Sequence, residues 1–406
     1  MPLNTQLSTL NMKLLHTSDW HLGHVLYNFD RAEEQTAMLL QMVEIVRKEQ
    51  PDVFLLSGDV YHTAQPSSAI QAMFTNAIVK IHDAQPDMTI VITAGNHDSG
   101  SKHEIFRTPW QALHVYTIGN LNKEDLDSHI IEVPEKGFVV AVPYANERSI
   151  PEGFFQQLLD RVQARNTRHL PVVLSAHTTV QGCDFRGHDH ATEYTVGGID
   201  ALDIDEMGEG YDYLALGHIH HEQFVHTRRL NSDKQGAVVR YSGSPIAVSF
   251  DEAYPHSVSI VEIGAHQAAP VITPIEIRNP RPVVTLPATG MKPWEEAKSL
   301  LEEYPADIPA YIRLNVEVED FLPANAMAEA QALAAGKACR VCYINAKRKT
   351  SPTTVNRTFS VQEFQQEHPM DIVRQYAKDI GVPFDDEMAE MFTEAIRRVN
   401  EEERNE

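Results

Sequence analysis

His16-Thr-Ser-Asp-Trp-His-Leu-Gly23 is the stretch on which the reading of the chain turns. It closes the apolar run 13–17, so a short strand ends in a polar cluster carrying Asp19 and His21. In an extended segment residues i and i+2 point to the same side, which lets these two grip one ion from a single strand end. The same grammar recurs four times: VFLLSGDVYH at 53–62 (Asp59, His62), IVITAGNHD at 90–98 (Asn96, His97, Asp98), VVLSAH at 172–177 (His177) and YLALGHIH at 213–220 (His218, His220). Gly58, Gly95 and Gly217 permit tight turns at the exits. Open α/β sheets build their sites at the carboxyl ends of strands, so five such exits predict one converged site.

The donors are carboxylate, imidazole and one amide, a set harder than zinc thiolate that suits Mn²⁺ or Fe²⁺, with Zn²⁺ as a further fit. Two ions bridged by Asp59, roughly 3.5–4 Å apart, lower the pKa of a shared water and clamp the oxygens of a phosphate ester during in-line attack. They also answer the charge balance. The chain has 34 Lys and Arg against 57 Asp and Glu, a net −23, the wrong sign for gripping nucleic acid unaided. Acidity is spread, with 18 basic and 34 acidic residues up to 264 and 16 and 23 beyond, whereas 18 of the 20 histidines lie before residue 265. The chemistry therefore belongs to the first two thirds.

At 406 residues, 42% hydrophobic and 22% charged, the composition is that of a folded globular chain of two or three domains. There is no apolar stretch of about 18 residues and residues 1–11 have no signal-peptide pattern, so no membrane association and a cytoplasmic location are expected. Three cysteines argue against a disulfide framework. Strands are expected at 13–17, 53–57, 90–93, 138–142, 172–176, 213–216 and 238–241, alternating with helices such as 33–49 and 67–82, an α/β layered domain. Six prolines between 270 and 293 then mark a linker or strand edge, with a boundary near 270. Beyond it come a helix at 293–303, a strand at 310–318, a helix at 325–335 and a strand at 340–346. A polar connector at 347–360 leads to amphipathic helices at 361–380 and 385–403.

The ordered series SDWH, GDVYH, GNHD, AHTT and GHIH resembles the calcineurin-like metallophosphoesterases. HTSDWHLG, and GHIHH followed by YSGSPIAVSFDE, narrow the likeness to the DNA-repair nuclease subunits that act with an SbcC-type ATPase subunit. The likeness runs from Met12 to the end and is strongest to about residue 260. It implies a four-layer αββα sandwich over 12–269, a small α+β capping domain over 270–346, a linker at 347–360 and C-terminal partner-binding helices at 361–406. Residues 1–11 then read as a disordered start or a non-native addition. By the same resemblance Asp19, His21, Asp59 and His220 bind the first metal, and Asp59, Asn96, His177 and His218 the second. His97 protonates the leaving oxygen or stabilises the transition state, and His62 positions the phosphodiester, although some relatives carry Asp there. Asp98 is expected to orient His97. The implied activity is Mn²⁺-dependent exonuclease and endonuclease cleavage of DNA at double-strand ends and hairpins, in a homodimer contacting through 65–82 and 101–114. No Gly-x-x-x-x-Gly-Lys loop is present, which leaves nucleotide binding to the partner.

Plainer readings stand beside these. Cys339 and Cys342 have zinc spacing but no second pair, so ordinary strand cysteines are expected. His188, Asp189 and His190 lie in a Gly-rich loop with no strand behind it, a solvated or substrate-contacting loop rather than a third metal site. Tyr241-Ser-Gly-Ser-Pro245 is support behind the metals rather than a nucleophilic serine turn. Two rival functions share the fold: a small-molecule phosphomonoesterase or cyclic-nucleotide phosphodiesterase, which has little need of the capping and tail segments, and a non-enzymatic scaffold bridging DNA ends, against which the full ligand set argues.

Overall fold

A computed structural model describes residues 12–146, 149–184, 201–225 and 237–349, together with 370, 374, 388, 389, 392 and 393. The loop at 188–190 and the C-terminal helices, those six positions apart, lie outside the described residues. Two compact units are distinguished, one running to Val316 and resuming over Pro323–Asn345, the other formed by Glu317–Leu322 and the chain from Ala346. In the second, the Arg348 guanidinium lies 4.8 Å from the Phe321 ring centroid.

Two six-stranded sheets make the body of the first unit. In one, β1 (Met12–Thr17), β4 (Val53–Ser57), β5 (Thr89–Thr93) and β6 (Val115–Ile118) run parallel, with β13 (Ser257–Ile263) antiparallel on β1 and β14 (Val271–Glu276) at the edge. In the other, β8 (Gly137–Val142), β9 (Val172–His177), β10 (Tyr213–Gly217) and β12 (Val238–Tyr241) are parallel, flanked by antiparallel β7 (Ile130–Val133) and β11 (Gln223–Phe224). Pro274 is tolerated in β14 because an edge strand can forgo a ladder donor. That edge strand carries the first sheet on to Glu276, past residue 270.

Strand alternation produces the layers. Leu14, Val53, Leu55 and Val91 of the first sheet meet Val139, Ala141, Val173 and Ala215 of the second in one core between them. Their neighbours Leu15, Phe54, Leu56, Ile90 and Ile92 face outward onto α1 (Ala32–Glu49) and α2 (Ser68–Ala84). Val140, Leu174 and Leu216 likewise face α4 (Phe154–Arg165). The result is the αββα sandwich expected from sequence. α1 forms because Met38, Leu39, Met42, Val43 and Val46 share one face, with Glu33 and Glu34 at its start and Arg47 and Lys48 at its end complementing its dipole. α2 is capped by the Ser67 hydroxyl, which accepts the Ile70 N–H. The sheets are also tied by polar pairs, His16 Nδ1 to Tyr213 Oη at 2.9 Å and Ser57 Oγ to Ser175 Oγ at 3.0 Å.

A third, four-stranded sheet follows, built from β15 (Val283–Leu286), β16 (Lys292–Pro293), β17 (Tyr311–Val318) and β18 (Arg340–Arg348), with α5 (Trp294–Glu303) and α6 (Ala326–Leu333). Tyr311 fastens it to the body by donating its hydroxyl to Glu34 on α1 at 2.8 Å. Cys183, Cys339 and Cys342 are free thiols, and Cys342 packs against the small cluster of Leu26, Phe250 and Tyr311. Among the described residues no helix is long and apolar enough to cross a membrane.

Candidate metal centre

The parallel strands of both sheets deliver their carboxyl ends to one place, and the side chains after β1, β4, β5, β9 and β10 meet there. The turns are tight enough to force unusual backbone: Asp19 (φ 54°), His21 (φ 43°), Asp59 (φ 50°) and His218 (φ 96°) all adopt left-handed conformations that non-glycine residues enter reluctantly. Two glycines make room. A Cβ at Gly58 would run into the imidazole of His177, and one at Gly95 into the carboxylate of Asp59.

Spacing identifies what the cluster can hold. Around one ion with bonds of about 2.1 Å, neighbouring ligand atoms lie roughly 3.0–3.4 Å apart. His21 Nε2 and His220 Nε2 are 3.1 Å apart, His177 Nε2 and Asn96 Oδ1 3.1 Å, and His218 Nδ1 and Asn96 Oδ1 3.0 Å. Asp59 Oδ2 lies between the two sets, 3.6 Å from His21 Nε2 and 3.4 Å from His177 Nε2. Asp19 groups with His21 and His220 on one side and with Asp59 and His177 on the other. His177 and His220 each spend Nδ1–H on an oxygen, the Ser57 carbonyl at 2.8 Å and Glu252 Oε1 at 2.8 Å, which turns Nε2 into the cluster as the candidate ligand nitrogen. The seven residues singled out from sequence thus come together, and their donor chemistry and spacing fit divalent cations.

The electrostatics fit as well. Burial works against ionising both Asp59 and His177, yet their mutual attraction prevails: His177 is lifted to about 9 and Asp59, drawn also by His21 and His97, is held well below the carboxylate range. His220 rises to about 9 against the same burial because Glu252 and the two aspartates face it. Burial pushes Asp19 up despite His177 and His220, and pushes His21 and His62 down. Asp19 and Asp59 are two buried carboxylates among imidazoles, a set of donors that bound cations would neutralise.

His97 and His62 stand beside this cluster. Their rings stack at 5.5 Å and 22°, and each meets His21 edge-on, at 4.8 and 5.6 Å. His97 N–H donates to Asp59 Oδ1 at 2.9 Å and its Nδ1–H to the His62 carbonyl at 2.9 Å, so Nε2 is the nitrogen able to move a proton. The expected link from Asp98 to His97 is not made. Asp98 instead accepts the N–H groups of Val60 (3.1 Å), Tyr61 (3.0 Å) and Gly95 (2.9 Å), because the turn after β5 aims it at the β4 exit loop; it braces loops, and a backbone carbonyl orients His97.

Two contributors escaped the sequence reading. Glu252 is buried, with Oε1 on His220 and Oε2 accepting the Ser244 hydroxyl (2.9 Å) and the Val248 N–H (3.1 Å). It lies inside YSGSPIAVSFDE, a stretch noted for its resemblance but not for a carboxylate. Tyr144, after β8, sets its ring 6.3 Å from His177 and 6.4 Å from His218. Glu252→Ala is expected to weaken binding of the ion held by His220 about 10- to 100-fold, measured by calorimetric titration of the metal-stripped protein. Unchanged affinity would remove Glu252 from the site.

Comparison with known proteins agrees with this geometry. The calcineurin-like phosphoesterase family model matches residues 12–222. The chain is 30% identical over 318 residues to the SbcD subunit of nuclease SbcCD from Rhodobacter capsulatus, covering 72% of this chain and 75% of that one. It is 28% identical over 336 residues to the protein of the same name from Bacillus subtilis (77% and 80% covered) and 27% identical over 274 residues to that from Escherichia coli (61% and 65%).

Proposed function

Since the chain belongs to the calcineurin-like phosphoesterase family and, within it, to the SbcD subunits of SbcCD nucleases, a metal-dependent class, we propose that it cleaves DNA phosphodiesters at double-strand ends and hairpins together with an SbcC-type ATPase subunit. The observation that carries the reading is Asp59 Oδ2, which lies between His21 Nε2 (3.6 Å) and His177 Nε2 (3.4 Å), where it could serve both groups of ligands. Asp19, His21, Asp59 and His220 would hold the first ion, and Asp59, Asn96, His177 and His218 the second, with Mn²⁺ the ion the donor set suits best. Bound there, the pair supplies an activated water and positive charge for the phosphoryl oxygens. His97 delivers a proton from Nε2 to the departing sugar oxygen. His62, stacked on His97 and giving it a carbonyl acceptor, keeps that ring at the required angle.

Supporting the assembly, α3 (Gly100–Gln111) buries only His103 and leaves Ile105 71% exposed, a face suited to a second copy of the chain in a homodimer. The domain scheme, with a capping domain over the substrate side and C-terminal helices on the ATPase, belongs to the same proposal. The test is cleavage of linear and hairpin DNA with Mn²⁺, with and without the ATPase subunit and ATP. Metal-dependent cutting is the expected result. Turnover of a small phosphodiester with no cutting in any mixture would favour the small-substrate phosphoesterase instead.

A further inference from the structure

The loops that build the metal centre also support an aromatic pair that takes no part in holding ions. β2 (Val25–Leu26) and β3 (Phe29–Asp30) form a short hairpin whose two turn residues, Tyr27 (φ 46°) and Asn28 (φ 71°), are both left-handed, which sets the tyrosine at the hairpin tip. There its ring stacks on Tyr343 of β18, with centroids 5.3 Å apart and planes 17° apart. Both rings stay open to solvent, at 45% and 39% exposure.

The pair is anchored to the catalytic loops from two directions. Tyr27 leans on Phe250 at 5.7 Å, two residues before the Glu252 that holds His220. His24, three residues before Tyr27, meets the His62 ring at 4.6 Å. The Arg340 guanidinium lies under the same hairpin, 5.4 Å from the Phe29 ring centroid and 5.8 Å from that of Tyr311, whose hydroxyl accepts its Nη1–H at 3.4 Å. Two tyrosines and the exposed Val25 offer far less than the roughly 800 Å² per partner of a stable protein interface, whereas a nucleobase needs only one ring face. Stacking does not depend on net charge, so a chain at −23 can hold a base where its overall field opposes DNA.

We propose that Tyr27 and Tyr343 form a stacking platform for an unpaired nucleobase of the DNA strand entering the metal centre; this rests on the nuclease reading above. The full-length protein is titrated, in EDTA to prevent cutting, into an oligonucleotide duplex whose single-stranded overhang carries 2-aminopurine. Binding should quench the fluorescence. Tyr27→Leu and Tyr343→Leu should each weaken binding about 5- to 100-fold, the range for losing one base–aromatic stack, while Tyr27→Phe binds as the parent does. All three should hydrolyse bis(p-nitrophenyl) phosphate with Mn²⁺ at the parental rate.

Leucine variants that bind as tightly as the parent, or a phenylalanine variant as weak as they are, would overturn the platform. So would leucine variants that lose small-diester hydrolysis, because the pair would then be propping the metal loops. Absence of quenching by the parent protein overturns the platform alone if DNA is still cut with Mn²⁺, and the nuclease reading with it if DNA is not cut.

Discussion

Asp59→Asn is expected to leave the protein folded, empty of both ions and slower in DNA cleavage by at least about a thousand-fold. The side chain faces both groups of candidate ligands: Oδ2 lies 3.6 Å from His21 Nε2 and 3.4 Å from His177 Nε2, and Oδ1 accepts the His97 N–H at 2.9 Å. Asparagine preserves the shape and one oxygen but removes the negative charge that bound ions would require and that draws the His177 pKa upward. A ligand to one ion alone would behave differently, since its loss should empty one site. Elemental analysis after gel filtration separates the cases. Two ions retained per chain would refute the shared-ligand assignment.

The second large effect is expected at His97. His97→Asn should keep both ions and reduce DNA cleavage by about 10²- to 10⁴-fold, the span for removing a positioned acid. The His62 carbonyl engages Nδ1–H, so the ring presents one remaining nitrogen, beside His21 at 4.8 Å. The leaving group provides a sharper readout, because p-nitrophenolate departs without a proton whereas a sugar alkoxide does not. Hydrolysis of bis(p-nitrophenyl) phosphate should therefore fall much less than DNA cleavage. Equal losses on both substrates would make His97 a stabiliser of phosphoryl charge rather than a proton donor.

Much of this was legible because strand exits are local. An apolar run closed by Asp, Asn or His announces both an element and a ligand, and the runs at 53–57, 172–176 and 213–216 fall within one residue of the observed strands. Other elements were silent for reasons equally physical. β13, SVSIVEI, returns to pair antiparallel with β1, and that pairing is decided by tertiary closure rather than by any neighbouring signal. Glu252 lies far from His220 along the chain and has no ligand spacing; only the closed fold places its carboxylate 2.8 Å from the imidazole. Asp98 misled through proximity, because adjacency to His97 in sequence says nothing about direction once the chain turns. The stacking of Tyr27 on Tyr343 likewise depends on how the small sheet docks near the hairpin.

The division of ligands between the two sheets has a consequence in time. Asp19, His21, Asp59 and Asn96 follow strands of the first sheet, while His177, His218 and His220 follow strands of the second, and the two acidic triads each draw on both. Each of those two triads therefore needs both sheets. A chain emerging from the ribosome would display its amino-terminal ligands long before residue 220 is made. On the ligand assignment proposed above, both triads would be completed only when the second sheet has folded against the first, and ions bound there would tie the two together.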